Sequence, residues 1–312
     1  MARIVVALGG NALGSTPAEQ KKMAANAAKT IADMVIQGNE LIIAHGNGPQ
    51  VGMIELGLAH SAEDGVIDSE MPLPECGAMS QGYIGYHLQN AIARELKAGG
   101  VKKNVVTLIT QVEVDAADPA FKAPAKPIGP FYSEAEAKKK MAADPACVFK
   151  EDAGRGWRRV VASPDPVDVV EKESILQLVG AGSLVVACGG GGIPVVRRGE
   201  GDYAGVPAVI DKDLAAECLA EIVNADELYI LTAVDRVYIN YNKPDRIGLA
   251  EMTCAQAEEY ARQGQFAPGS MLPKVRAGIK FASSGTGRRA VICSLEKAEL
   301  ALSGKSGTVI KH

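Results

Sequence analysis

The sequence predicts an α/β fold built on a mainly parallel sheet with helices packed over it. Three observations carry that reading. Apolar runs of strand length recur at 4–8, 41–44, 105–110, 184–187 and 228–231. They are continuous rather than alternating, as strands buried on both faces require. Segments of helical length lie between them, so strand and helix alternate as in βαβ units with right-handed crossovers. Glycine clusters follow strands, at Gly9-Gly10, at Gly46 and Gly48, and at 189–192, where an open parallel sheet binds its ligands.

In chain order, Ile4-Val5-Val6-Ala7-Leu8 is a buried strand that ends at Gly9-Gly10-Asn11. Residues 17–37 form a helix rich in Ala and Lys, with Gly38 as its stop. Leu41-Ile42-Ile43-Ala44 is the second strand and runs into His45-Gly46-Asn47-Gly48-Pro49. Helices follow over 51–61 and 75–99, then a third strand over 105–110. Residues from about 118 to 166 break the rhythm with Pro124, Pro127, Pro130 and many lysines. This insertion is expected to be a small protruding lid or subdomain, or else a solvated loop, with a short strand at Val160-Val161-Ala162. The second half resumes with a helix over 166–180, a strand over 184–187 and Val195-Val196 as an edge strand. A helix over 211–223 and a strand over 228–231 come next, leading into Thr232-Ala233-Val234-Asp235. Helices over 253–262 and 270–284, a strand over 290–293 and a last edge strand at Thr308-Val309-Ile310 complete the chain.

Composition excludes several classes. The 312 residues carry 33 Lys plus Arg against 37 Asp plus Glu, a net charge of −4, with 4% aromatics. That leaves no basic footprint and few stacking platforms for nucleic acid. No apolar run reaches 18 residues, so no membrane span is expected. The N-terminal apolar run is too short for a signal-peptide core. Six cysteines are widely spread without a CxxC, and His numbers four, so a zinc site is not expected and a reducing, cytoplasmic location is. At about 150 residues per domain, the length suits one large domain or two lobes.

Three glycine turns at strand ends suggest a polyanionic ligand, since glycine lets backbone N–H groups approach an anion and a following helix adds its dipole. The alternative for each is a plain βα turn. No GxxxxGK[ST], GxGxxG or GxSxG motif occurs. Asp211-Lys212-Asp213 opens a predicted helix. It is either a simple cap with a solvated lysine or an organised cation of the kind phosphoryl transfer needs. Lys274 stands in the first turns of another helix, where the dipole disfavours it unless an anion is near. Lys126 lies among prolines in the insertion, either solvated or held stiffly over a site.

These residues resemble the carbamate kinases of the amino-acid kinase superfamily. The resemblance rests on Gly9-Gly10-Asn11-Ala12-Leu13, His45-Gly46-Asn47-Gly48-Pro49-Gln50-Val51-Gly52 and Ser80-Gln81-Gly82-Tyr83-Ile84-Gly85-Tyr86. It extends through Lys126-Pro127-Ile128-Gly129-Pro130-Phe131-Tyr132, Gly156-Trp157-Arg158-Arg159 and Ala187-Cys188-Gly189-Gly190-Gly191-Gly192-Ile193-Pro194 to Val209-Ile210-Asp211-Lys212-Asp213 and Gly269-Ser270-Met271-Leu272-Pro273-Lys274. It implies one domain over 1–312, a three-layer αβα sandwich with a protruding subdomain at about 118–166, and a homodimer. The reaction implied is ATP plus carbamate giving ADP plus carbamoyl phosphate, with Mg²⁺ on the nucleotide phosphates and no protein metal ligands. Carried over by motif, Lys212 and Lys274 grip phosphate, Asp213 orients them and Lys126 is lowered over carbamate. Gly9, Gly10, Asn11, Gly46, Asn47 and Gly48 surround the phosphoryl group and the acceptor in the N-terminal half. Asp211, Ala233, Asp235, Tyr238 and Met271 mark the nucleotide side in the C-terminal half, about 184–312. The rival expectations are a kinase of another small acid and a nucleotide-binding sensor without turnover.

Overall fold

The computed structural model describes residues 2–9, 16–144, 147–152 and 154–312. It opens with β1 (Arg3–Leu8), α1 (Pro17–Ile36), β2 (Glu40–His45), α2 (Gly48–Glu63) and α3 (Leu73–Ala98). Then come β3 (Val105–Thr107), β4 (Gln111–Val114), β5 (Lys126–Tyr132), α4 (Glu134–Ala143), β6 (Val148–Glu151) and β7 (Trp157–Val161). β8 (Pro166–Val169), α5 (Lys172–Gly180), β9 (Leu184–Val186), β10 (Ile193–Gly199), β11 (Asp202–Gly205) and α6 (Lys212–Ile222) follow. The chain ends with β12 (Glu227–Thr232), β13 (Val237–Ile239), β14 (Ile247–Leu249), β15 (Glu251–Thr253), α7 (Cys254–Arg262), α8 (Met271–Ser283), β16 (Arg289–Ser294), α9 (Ala298–Leu302) and β17 (Thr308–Lys311).

Eight strands form the central sheet in the order β15-β17-β16-β12-β1-β2-β9-β3. From β16 to β3 every pairing is parallel, and β17 runs antiparallel to β16. The period-two geometry of a strand sends alternate residues to opposite faces. Ile4, Val6 and Leu8 of β1 join a core with Ile31 of α1 and Leu88 of α3. Val5 and Ala7 join the opposite core with Leu219 of α6 and Phe281 of α8. The result is the three-layer αβα sandwich expected from the sequence. Capping boxes start α1 (Thr16 with Glu19), α4 (Ser133 with Glu136) and α7 (Thr253 with Gln256) by satisfying N–H groups that no helical turn reaches.

β5, β6 and β7 form a separate antiparallel sheet in the order β5-β7-β6. It leans on α2 at one tight point, because a Cβ at Gly52 would sit 2.2 Å from Gly129 Cα. Ile128 and Val161 pack with Val51, Leu73 and Cys76, and Arg159 pairs with Glu55.

Four expected elements differ. Residues 105–110 are not one strand: β3 ends at Thr107, and farther on the Gln81 side chain bonds both backbone groups of Thr110 (2.7 and 3.0 Å). The predicted helix over 166–180 begins only at Lys172; Pro166–Val169 is β8, antiparallel to β4. Val195-Val196 is not at an edge, since β10 lies between β11 and β4 in a second, four-stranded sheet. Thr308-Val309-Ile310 is not at an edge either, because β15 covers it. Among the described residues no helix is long and apolar enough to cross a membrane.

Candidate active site

Parallel strands bring their carboxyl ends to one edge, and the glycine turns gather there. Gly46 N–H donates to Leu8 O (3.1 Å), so the turn after β2 rests on the end of β1. Gly9 closes in on β12: a Cβ there would lie 3.0 Å from Leu231 O. Asn47 stands at the N-cap of α2 but leaves the helix uncapped, donating Nδ2 to Ser80 Oγ instead (2.8 Å). Gly10 and Asn11 lie outside the described residues.

The 188–192 turn does something other than cradle an anion openly. Its four glycines are buried, and Gly190, Gly191 and Gly192 have φ of +70°, +97° and +84°. A Cβ would meet His45 Nε2 from Gly189 (2.5 Å), Asn47 from Gly190 (2.1 Å), Ile210 O from Gly191 (2.3 Å) and Val112 from Gly192 (2.2 Å). The Gly191 and Gly192 N–H groups are spent inside the turn. The run is glycine because the neighbouring segments approach closer than any side chain permits.

Ile210, under Gly191, leads directly to the charged cluster. Asp211 caps α6, its Oδ1 accepting from Asp213 N (2.9 Å). Its Oδ2 accepts from Lys126 Nζ, carried in by β5 (2.5 Å). Asp213 is 1% exposed and accepts from two ammonium groups, Lys212 Nζ on Oδ1 (2.8 Å) and Lys274 Nζ on Oδ2 (3.1 Å). Lys274 also donates to Ser270 O. Three lysines from β5, α6 and α8 thus converge on two carboxylates.

Burial works against each charge, and the neighbours decide the outcome. For Lys212, burial pulls the pKa down, but Asp213 and Asp211 outweigh it and hold it up. For Lys274, burial with the like charge of Lys212 outweighs Asp213, so its pKa falls. Burial alone would raise Asp211, but Lys126 and then Lys212 hold it well below the usual carboxylate range. His45 is buried, and desolvation pulls it to about 4 against the opposing Gly46 carbonyl.

Among the described residues, the remaining expected ones make no hydrogen bond or ion pair to the three lysines, and Met271 opens the helix that carries Lys274. Ala233 follows β12. Asp235 accepts from Ser294 Oγ (2.8 Å) and pairs with Lys297. Tyr238, on β13, packs against Tyr241 and the Arg246 guanidinium. Met271 opens α8 and packs on the core. Asp211, expected on the nucleotide side with these four, pairs with Lys126 within the lysine cluster. Ser80, Gln81 and Thr110, not singled out from sequence, hold the turns together: Thr110 Oγ1 accepts from Cys188 N (3.1 Å). The only sequence signal for Ser80 and Gln81 was their place within a family motif, and for Thr110 its place at the end of an apolar run.

The profile of the amino acid kinase family matches residues 2–294. A carbamate kinase of Clostridium perfringens is 54% identical over 99% of both chains. The chain belongs to the amino acid kinase family, among the carbamate kinases. A carbamate kinase-like protein of Escherichia coli is 51% identical over 99% of this chain and 98% of its own. The solved carbamate kinase of Giardia lamblia bound to AMP-PNP superposes with a TM-score of 0.90, at 45% identity over 99% of this chain and 98% of that one. As a member of the amino acid kinase family the chain is a phosphotransferase, and the lysine cluster is its natural candidate for the reacting centre.

Proposed function

We propose that the chain transfers a phosphoryl group reversibly between ATP and carbamate, giving ADP and carbamoyl phosphate. The observation that carries this is the convergence of Lys126, Lys212 and Lys274 on Asp211 and Asp213 beside the glycine turns. Two anions must meet in this reaction, and their repulsion is the main barrier to assembly. In this reading Lys212 and Lys274 grip the transferred group, and Asp213 keeps them apart and aimed. Lys126 leaves Asp211 to cover the carbamate end and exclude water. Gly9, Gly10, Asn11, Gly46, Asn47 and Gly48 surround the transferred phosphoryl group and the acceptor, while Asp211, Ala233, Asp235, Tyr238 and Met271 flank the nucleotide. Carbamate oxygen is already anionic, so no general base is needed, which suits a neutral, buried His45. Catalysis then rests on positioning and charge stabilisation.

A kinase of this family works on ATP with a metal ion, which we assign as Mg²⁺. It neutralises phosphate charge when bound. Asp211 and Asp213 are both engaged by lysines, so the residues fit a metal held chiefly by the nucleotide phosphates. We also infer a homodimer, supported by the exposed apolar side chains Met53, Met79 and Tyr86 on α2 and α3, and a cytoplasmic location, supported by six free cysteines.

The test is incubation with carbamoyl phosphate, ADP and Mg²⁺, reading ATP by a coupled assay beside Lys212→Ala. Metal-dependent ATP formation absent from the variant supports the assignment. Equal signal in both sinks it, and a screen of other small acids or acyl phosphates follows.

A further inference from the structure

The three ammonium groups of Lys126, Lys212 and Lys274 make a site rich in donors. Donors alone hold any small carboxylate or acyl phosphate. Carbamate and acetate have nearly the same shape and differ at one end, NH₂ against CH₃. Telling them apart requires a hydrogen-bond acceptor at that end, and the structure holds one in a fixed orientation.

Ser80 Oγ lies 2.6 Å from Gly77 O. A carbonyl only accepts, so the single hydroxyl proton of Ser80 goes there. Ser80 therefore meets Asn47, 2.8 Å away, as an acceptor, and the amide atom facing it must be Nδ2. Gly190 lies close against the amide, where a Cβ would come within 2.1 Å of Nδ2 and 2.7 Å of Oδ1. The amide is clamped and its polarity is set. Asn47 Oδ1 takes no hydrogen bond among the described residues and is not among the sealed, unpartnered polar atoms. Asn47 lies at the carboxyl end of β2, beside the turn that rests on β1. The neighbouring His45 is fixed as well: Nδ1–H donates to Gly46 O (3.0 Å), so the ring offers no second proton while neutral.

We propose that Asn47 Oδ1 accepts an N–H of the substrate's amino group, and that Ser80 is the positioning residue that keeps the amide oxygen turned to it. This rests on the carbamate reading above. The site would then select acceptors and phosphoryl donors that carry an N–H. A methyl group in its place leaves Oδ1 unpaired in a largely desolvated position. Sites built to bond a substrate N–H reject analogues lacking it far more strongly than apolar pockets reject an extra methylene. Without Ser80, nothing holds Nδ2 away, and a turned amide would set donor against donor.

The experiment measures kcat/KM for carbamoyl phosphate and for acetyl phosphate as phosphoryl donors to ADP. It uses wild type, Ser80→Ala, Asn47→Ala and the double variant, with melting temperature and ADP binding recorded for each. Wild type is expected to favour carbamoyl phosphate strongly. Ser80→Ala should lower the carbamoyl phosphate value about 10-fold, as the loss of one well-made hydrogen bond implies, and leave acetyl phosphate nearly unchanged. Asn47→Ala should lower the ratio at least as far, and the double variant no further, because the two act as one unit. Equal losses for both donors in Ser80→Ala and Asn47→Ala would overturn the proposal, as would a wild type that uses both donors equally well. A wild type that makes no ATP from carbamoyl phosphate overturns the underlying reading instead.

Discussion

Asp213→Asn and Asp213→Ala test the lysine cluster most directly. Asp213 is 1% exposed and is the acceptor for both Lys212 and Lys274, at 2.8 and 3.1 Å. Each charge-assisted bond is worth about 1.5–3 kcal/mol net. Removing one partner of a buried ion pair costs about 3–5 kcal/mol, because the remaining charge is stranded. At roughly 2 °C per kcal/mol for a chain of this size, Asp213→Ala should melt about 6–10 °C lower. Asp213→Asn keeps the shape and one acceptor oxygen, but turns an NH₂ toward the other lysine, so it should lose less stability. Both should lose activity by about 10²- to 10³-fold, as when a charge-stabilising group is removed. There is also a sign to check. Burial and Lys212 already pull the Lys274 pKa down, and Asp213 is what opposes them. Without Asp213 the Lys274 proton is lost at lower pH, so residual activity should rise as pH falls. The measurements are a thermal melt and coupled ATP formation from carbamoyl phosphate across pH. Wild-type melting and wild-type turnover in Asp213→Asn would refute the reasoning.

Lys126→Ala should impair use of carbamoyl phosphate while ADP affinity by calorimetry stays near wild type; lost ADP binding with normal carbamoyl phosphate KM would contradict the covering role. His45 has a folded pKa of about 4 against an ordinary 6.5, so the unfolded chain binds more protons between those values and stability must fall as pH drops through that window. His45→Gln should flatten this part of the melting profile, and an unchanged acid limb would count against it. Five of the six cysteines are buried and Cys147 is half-buried, and burial pushes Cys76 to about 11 and Cys218 and Cys293 to about 12. Native protein should therefore react with a thiol reagent far more slowly than denatured protein, with at most Cys147 labelling readily; rapid loss of several thiols under native conditions would refute it.

The central sheet was legible because its strands are continuous apolar runs and burial on both faces leaves few alternatives. β1, β2, β9, β12 and β16 all fall where those runs predict. The second sheet was not legible in the same way. β4 and β8 are only four residues each, and the β10–β4 and β4–β8 pairings join segments distant in sequence, so no continuous apolar run marks them. β8 shows the difficulty: Pro166 disfavours helix in the residue before it, yet Val167-Asp168-Val169 flows into a true helix without a strong stop.

Within the candidate site, sequence exposed the charges but not what holds them. Lys126, Asp211, Lys212, Asp213 and Lys274 stand out because charge at helix starts and among prolines demands an explanation, and the structure joins them in one network. Ser80 and Gln81 look like surface residues in an amphipathic helix, yet both are sealed, at 0% and 1% exposure. A polar residue is buried without cost only when its hydrogen bonds are met, and theirs are met by Asn47, Gly77 and the Thr110 backbone, up to 33 residues away. The glycines at 189–192 carry the same lesson. Read alone, they suggest an anion cradle. Their neighbours show that four missing Cβ atoms are what let His45, Asn47, Ile210 and Val112 close on one turn. That contact places the end of β2 and the start of α6 in fixed register. A substitution at Gly191, whose Cβ would strike the Ile210 carbonyl at 2.3 Å, should therefore shift Asp211 and its lysines without touching a charged residue.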